Sequence, residues 1–365
     1  MHISELDTPS LLLDLDIMER NLRRMGEYCT QHNIALRPHI KTHKIPAIAK
    51  LQIAHGAHGI TAAKPSEAAV MSEGGIDDIF IAYPIVSAAK ANALVDLMQR
   101  GTRISVSLDS VEAAECLSQA AAARGLKMPL LVEIDTGFHR CGVATPAGAV
   151  ALAQTIDRLP GAIFGGLMYY PGHMFVPIDE QQPLREKVNE AVEAAYTALT
   201  TAGFAISTVT GGSSPTAYTG HLFSHTTEIR PGMYHLNDRN LVEAGFATLA
   251  DCALTVLATV VSTAVPGQVI LDGGSKTFSS DRLLTGNHKG HGAIVEDPNA
   301  LLFGLSEEHG HVNITSSSRH YRIGERLRIV PNHVCTAINM HDRIYGIRND
   351  EVVEIWPVAA RGKVQ

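Results

Sequence analysis

From about residue 35 to about residue 235, the chain alternates between short apolar or β-branched runs and longer stretches whose apolar residues recur at helical spacing. The runs occupy 35–40, 59–63, 78–83, 104–108, 130–134, 164–170, 207–210 and 228–234. Between them lie helix-like segments such as SEAAVMSEGG, SVEAAECLSQAAAARG and PLREKVNEAVEAAYTALTTAG. Each closes on a glycine, which suits the left-handed residue past a helix end. Strand–helix alternation predicts parallel strands joined by crossover helices. Eight such units favour an α/β fold built as a closed (β/α)8 TIM-type barrel over an open doubly wound sheet. No GxGxxG follows the first run, so a dinucleotide-binding reading loses its main support.

The pattern changes after about residue 245. LTVLATVVSTAV, GQVILDGG, RLRIVP, HVCTAIN, RIYGIR and VVEIWPVAARG read as strands joined by Gly- and Pro-containing turns, which predicts a second, mostly β C-terminal domain. The run LLLDLD near the start fits either domain. The division expected is a barrel over 20–245 and a β domain from 1–19 with 246–365.

Composition narrows the partners. The 365 residues exceed what one compact core needs, in keeping with one large domain and a smaller one. A net charge of −7, without a basic cluster interleaved with aromatics, argues against nucleic acid and against an anionic membrane surface. No apolar run reaches the roughly 20 residues that span a bilayer, and MHISELDTPSLLLDLD has neither the basic leader nor the apolar core of a signal peptide. The five cysteines (Cys29, Cys116, Cys141, Cys252, Cys335) are scattered and odd in number, which argues for a reducing compartment over a disulfide framework. A cytoplasmic enzyme acting on a small molecule is expected.

In a barrel of this kind the working residues sit at the C-terminal ends of the strands. The first run ends in RPHIKTHK, and the fifth leads into DTGFHRCG. The sixth ends in YYPGH, the seventh in TGGSSPT, and the eighth carries RPGMY. Glycines in TGGSSPT let backbone N–H groups approach an anion, and its hydroxyls add donors. A Gly/Ser loop is often a plain turn, but this one falls where barrels bind phosphate. Strand alternation puts His39 and Lys41 on one face, with Pro38 and Ile40 on the other. A lysine facing the barrel interior is desolvated, which favours the neutral amine that adds to a carbonyl. Lys44 is the rival, three residues on, where a strand points it away or the helix has begun.

RPHIKTHK, the GxxRCG segment 137–142, TGGSSPT and IRPGMY occur in order, and PNHVC follows in the second domain. Together they resemble the fold-type III pyridoxal-phosphate enzymes, within them the D-threonine aldolase and D-serine dehydratase group. The likeness covers nearly the whole chain. It implies that Lys41 forms the Schiff base with pyridoxal 5'-phosphate and that Arg140 contacts the cofactor's phenolic oxygen. It also implies that Gly211, Gly212, Ser213 and Ser214 hold the phosphate, with backbone groups of Gly232 and Met233. Arg230 would face the pyridine nitrogen and keep it unprotonated, weakening the ring as an electron sink. Tyr170 would lie close to the cofactor, and His173 is a candidate base.

His333 and Cys335 are two apart in a strand-like segment, so both project from one face. Imidazole plus thiolate suits zinc and other borderline-soft metals, and two protein ligands leave positions for water and substrate; the ion expected is a divalent metal, Zn, Mn, Mg or Co. The function expected is a metal-assisted, pyridoxal-phosphate-dependent lyase of β-hydroxy-D-amino acids. The outcome expected is D-threonine aldolase cleavage to glycine and an aldehyde, with dehydration to a keto acid and ammonia, as for D-serine or D-3-hydroxyaspartate, as the alternative. YYPG, ILDGGSK and WPVAARG resemble the aldolases. The second metal ligand is Cys as in the dehydratases, where the aldolases have Asp. A non-catalytic pyridoxal-phosphate-binding protein is a rival of another class, opposed by the long second domain. A racemase would need a second acid/base from the β domain. The resemblance implies a homodimer.

Overall fold

The computed structural model describes residues 1–285 and 289–365. The chain begins with β1 (Ser10–Asp14) and α1 (Leu15–Gln31). Eight strands follow: β2 (Ala35–Leu36), β3 (Ile60–Ala62), β4 (Asp78–Ile81), β5 (Arg103–Leu108), β6 (Met128–Ile134), β7 (Ala162–Tyr169), β8 (Val209–Gly211) and β9 (Glu228–Ile229). Helices α2 (Pro46–Ala54), α3 (Pro65–Glu73), α4 (Ala88–Gln99), α5 (Val111–Ala122), α6 (Pro146–Arg158) and α7 (Gln181–Thr201) alternate with them. After these come short helices α8 (Arg239–Glu243), α9 (Ser275–Phe278) and α10 (Val334–Met340). With them run β10 (Leu254–Ser262), β11 (Gln268–Leu271), β12 (Gly292–Ile294), β13 (Leu301–Leu305), β14 (Gly310–Asn313), β15 (Arg326–Pro331), β16 (Arg343–Arg348) and β17 (Glu351–Pro357).

The residues form two compact units, each assembled from separate stretches of chain. One comprises Arg24–Lys41, Pro46–Gly232 and Gly362–Gln365. Its eight strands are parallel in the order β2-β9-β8-β7-β6-β5-β4-β3. Isolated parallel bridges, Leu36 with Ala57 and His39 with Thr61, join the two ends of that order. Each of the eight apolar runs overlaps one of these strands. The expected helix stops also occur, with Gly75, Gly125 and Gly203 at positive φ just past α3, α5 and α7. Phe80, Leu131 and Met168, from β4, β6 and β7, pack into one buried cluster inside the sheet.

The other unit comprises Met1–Arg23, Thr42–Ile45 and Met233–Arg361. Its nine-stranded, mostly antiparallel sheet runs β13-β14-β11-β10-β1-β16-β17, with β15 also on β10 and β12 on β15. LLLDLD therefore belongs here: β1 pairs antiparallel with β10 and parallel with β16. Leu12 packs there against Leu6, Leu257 and Ile347.

HVCTAIN is not the strand its pattern predicts. The strand ends at Pro331, and residues from Val334 onward are helical, with His333 at the N-cap. Asn332 makes the turn, its amide donating to the carbonyls of Asp281 and Gly290.

Candidate active site

Within the barrel unit, a cavity of about 330 Å³ lies at the C-terminal ends of the strands. It is lined by His39, Lys41, Ala63, Ala82, Tyr83, Pro84, Glu133, Arg140, Cys141, Met168, Tyr170, Gly212 and Arg230. Five of the residues singled out from sequence thus meet at one hollow. Lys44 lies in the other unit and is buried.

Lys41 reaches this cavity by a route the strand pattern did not foresee. β2 ends at Leu36, and Lys41 sits in a 3-10 turn, Ile40–Thr42, its N–H donating to His39 Nδ1 at 3.3 Å. Its side chain is exposed, so the desolvated lysine expected from alternation is not what the fold presents.

Arg140 is held by its loop. Asp135 Oδ1 accepts from the N–H groups of Gly137 and His139, both at 3.0 Å. Gly142 closes the loop at φ 110°, where a Cβ would come within 2.4 Å of Asp135 N. The Arg140 guanidinium then stacks on Tyr170, 4.4 Å from the ring centre. Arg230 is buried; it donates to Thr210 Oγ1 at 2.6 Å and to the Tyr169 carbonyl at 3.0 Å. Thr210 in turn donates to Glu228 Oε1 at 2.5 Å, and Glu228 Oε2 accepts from Arg37 Nε at 2.8 Å.

The Gly/Ser loop packs as a tight cradle. A Cβ on Gly211 would lie 2.0 Å from the Tyr169 ring, and Gly212 adopts φ 85°. Ser213 N–H donates to Thr216 Oγ1 at 2.9 Å, and Gly232 N–H to Ser214 Oγ at 3.3 Å, so the two glycine segments adjoin. Met233 follows Gly232 in the chain.

His173 lies just past β7 in a 3-10 turn and is not among the lining residues. Among the described residues its buried Nδ1 has no hydrogen-bond partner, and its ring stacks near Phe138 at 6.5 Å. Burial lowers its pKa, opposed by Asp135 and assisted by His139, for a net fall.

Glu133 was missed by the sequence reading. It lines the cavity almost fully buried, and burial raises its pKa against the pull of Arg140 and Arg230. The signal was available: on LLVEI it alternates in phase with inward-facing Leu131.

In the second unit, His333 Nδ1 lies 3.0 Å from Asp238 Oδ2, and His333 also bonds Cys335. Cys335 Sγ lies 3.3 Å from the buried Thr42 hydroxyl. Burial pulls His333 down, but Cys335 and Asp238 push it up to about 11. Among the described residues no group of three or more His, Cys, Asp or Glu is gathered for a metal, so any ion here rests on this pair.

A parallel barrel with a lysine, two arginines and a glycine-rich loop around one cavity, joined in one chain to a β unit, matches a known class. A family model of the alanine racemase N-terminal domain covers residues 13–238, and a serine dehydratase domain model covers residues 253–347. The chain belongs to the fold-type III pyridoxal-phosphate enzymes, in the family of the D-threonine aldolases and D-serine dehydratases. The D-threonine aldolase of Arthrobacter sp. is 36% identical over 365 residues, covering 99% of this chain and 94% of that protein. The crystal structure of D-threonine aldolase from Filomicrobium marinum superposes with a TM-score of 0.92 at 34% identity, covering 99% of this chain and 98% of the other. D-threo-3-hydroxyaspartate dehydratase from Delftia sp. HT23 gives 0.91 at 30% identity, covering 98% of each chain. A D-threo-3-hydroxyaspartate dehydratase has also been solved as a cysteine-to-alanine mutant in the metal-free form.

Proposed function

We propose that this chain is a pyridoxal-phosphate- and divalent-metal-dependent lyase that cleaves β-hydroxy-D-amino acids to glycine and an aldehyde, as a D-threonine aldolase does. The observation that carries this reading is the cavity on which Lys41, Arg140, Tyr170, Gly212 and Arg230 converge. Its donor set fits the cofactor: an amine for the aldehyde, cations for the phenolic oxygen and ring, and a glycine loop in which Gly211 has no room for a side chain. When bound, the cofactor supplies an electron-accepting ring beside Cα, and the ion supplies Lewis acidity at the β-oxygen.

Lys41 would hold the cofactor through Nζ. Arg140, braced on Tyr170, would orient the phenolic oxygen, and Arg230 the pyridine nitrogen. Residues 211–214, Gly232 and Met233 would hold the phosphate. His333 and Cys335 would hold the ion. His173 would be the base that takes the proton from the substrate's β-hydroxyl, its lowered pKa favouring the neutral ring. The reading includes a cytoplasmic homodimer; the scattered, odd-numbered cysteines of the sequence suit a reducing compartment.

One residue favours a second reading. Cys335, the second metal donor, matches the dehydratases, which release a keto acid and ammonia. Incubation with D-threonine and D-serine separates the two. Glycine plus acetaldehyde is expected from D-threonine; keto acid plus ammonia as the main products would replace the aldolase with the dehydratase. Borohydride reduction and peptide mapping should label Lys41, and label on Lys44 would overturn the assignment. Chelation is expected to abolish turnover while the cofactor's absorbance stays, and unchanged turnover would remove the metal from the reading.

A further inference from the structure

We propose that Asp238 is the positioning residue of the metal pair, fixing the His333 imidazole with its proton on Nδ1 so that Nε2 is the nitrogen that meets the ion. This inference rests on the metal reading above. Asp238 has no side-chain exposure at all. A carboxylate removed from water needs donors around it, and here it has three. Leu241 N–H donates to Oδ1 at 3.1 Å, because Asp238 is the N-cap of α8. Val334 N–H donates to Oδ2 at 3.2 Å, and His333 Nδ1 lies 3.0 Å from that same oxygen.

An ionised carboxylate only accepts, so the hydrogen between Asp238 and His333 belongs to Nδ1. A neutral imidazole with its proton there carries its lone pair on Nε2. The same Oδ2 also anchors the backbone at the start of α10, one residue before Cys335. One buried carboxylate thus sets both the ring tautomer and the turn that presents the second donor. A carboxylate placed behind a ligating histidine also raises its basicity toward a cation.

The bland alternative is that Asp238 merely caps α8. Asp238→Ser keeps a cap for Leu241 N–H but is too short to reach His333, and Asp238→Asn keeps the shape but removes the negative charge behind the ring. Zinc affinity of the full-length holoenzyme is measured by competition with a chromophoric chelator. Both variants are expected to bind zinc about 10- to 100-fold more weakly than wild type, with the Cys335–cobalt charge-transfer band retained at saturating Co2+.

Two-bond 1H–15N spectra of the zinc-loaded wild type are expected to show a His333 proton on Nδ1, identified by its loss in His333→Ala. A proton on Nε2 instead overturns the proposal without recourse to any Asp238 variant. Wild-type zinc affinity in both Asp238 variants, alongside a loss in His333→Ala, also overturns it and leaves the metal reading standing. Wild-type affinity in His333→Ala sinks the metal reading itself.

Discussion

Tyr169 is fully buried, its hydroxyl 2.8 Å from Thr226 Oγ1, and its ring lies where a Cβ on Gly211 would project. The ring has no room to yield. Gly211→Ala is therefore expected to cost about 1–3 kcal/mol of overpacking and to shift the phosphate cradle, read as weaker pyridoxal-phosphate binding in a spectroscopic titration. Gly203 is the control: a Cβ there meets nothing within 4 Å, although φ is 93°. Gly203→Ala should lower stability modestly and leave cofactor affinity unchanged. His173 gives a second residue-scale expectation. If its neutral ring is the base, kcat rises with pH through an apparent pKa below the ordinary 6.5, and His173→Asn loses that acid limb along with most of the rate.

At the scale of elements, the N-terminal ends of the barrel strands hold charge in a structural arrangement. Asp78 opens β4, Arg103 opens β5 and Glu228 opens β9. With Arg37 and His58 they line a lower cavity of about 300 Å³. Burial pushes Glu228 up, but hydrogen bonds from His58, Arg37 and Thr210 bring it down to about 2. A carboxylate with a depressed pKa stabilises the fold above its unfolded value and loses that contribution as pH falls through the folded one. The window runs from about pH 4.5 down to about pH 2. Wild-type thermal midpoints should fall steeply across it, whereas Glu228→Gln should start lower at pH 7, having left Arg37 short of a partner, and show a flatter acid slope. The strands behind this network were legible because each is a short apolar run bounded by turns. Lys41 and the HVC segment were misread for one shared reason. Period-two alternation was carried past a strand end, through Pro38 in one case and Pro331–Asn332 in the other, where proline withdraws an N–H from the ladder. Asp238 was invisible because its contact to His333 spans 95 positions, a pairing no local pattern encodes.

Across the whole molecule, each unit is discontinuous in sequence. β1 was ambiguous from sequence for that reason: its partners, β10 and β16, lie more than 240 residues away. Leu11, Leu12 and Leu13 are fully buried by that pairing. A chain cut after residue 245 keeps all eight barrel strands but strips both partners from β1, leaving an apolar edge open to self-association. The fragment is expected in the insoluble fraction on expression, and the intact chain in the soluble one. A soluble, monodisperse fragment would show that the barrel folds without the β unit.

The hydrogen bonds from Arg230 through Thr210 and Glu228 to Arg37 have one more property, which follows from their direction. Both ends are guanidiniums, which donate and never accept, so every hydrogen in the series is oriented toward the central carboxylate. Such a series cannot reverse its polarity, and a Grotthuss relay requires that reversal. It is a strut and not a wire. This series therefore carries no proton between the lower cavity and the upper one.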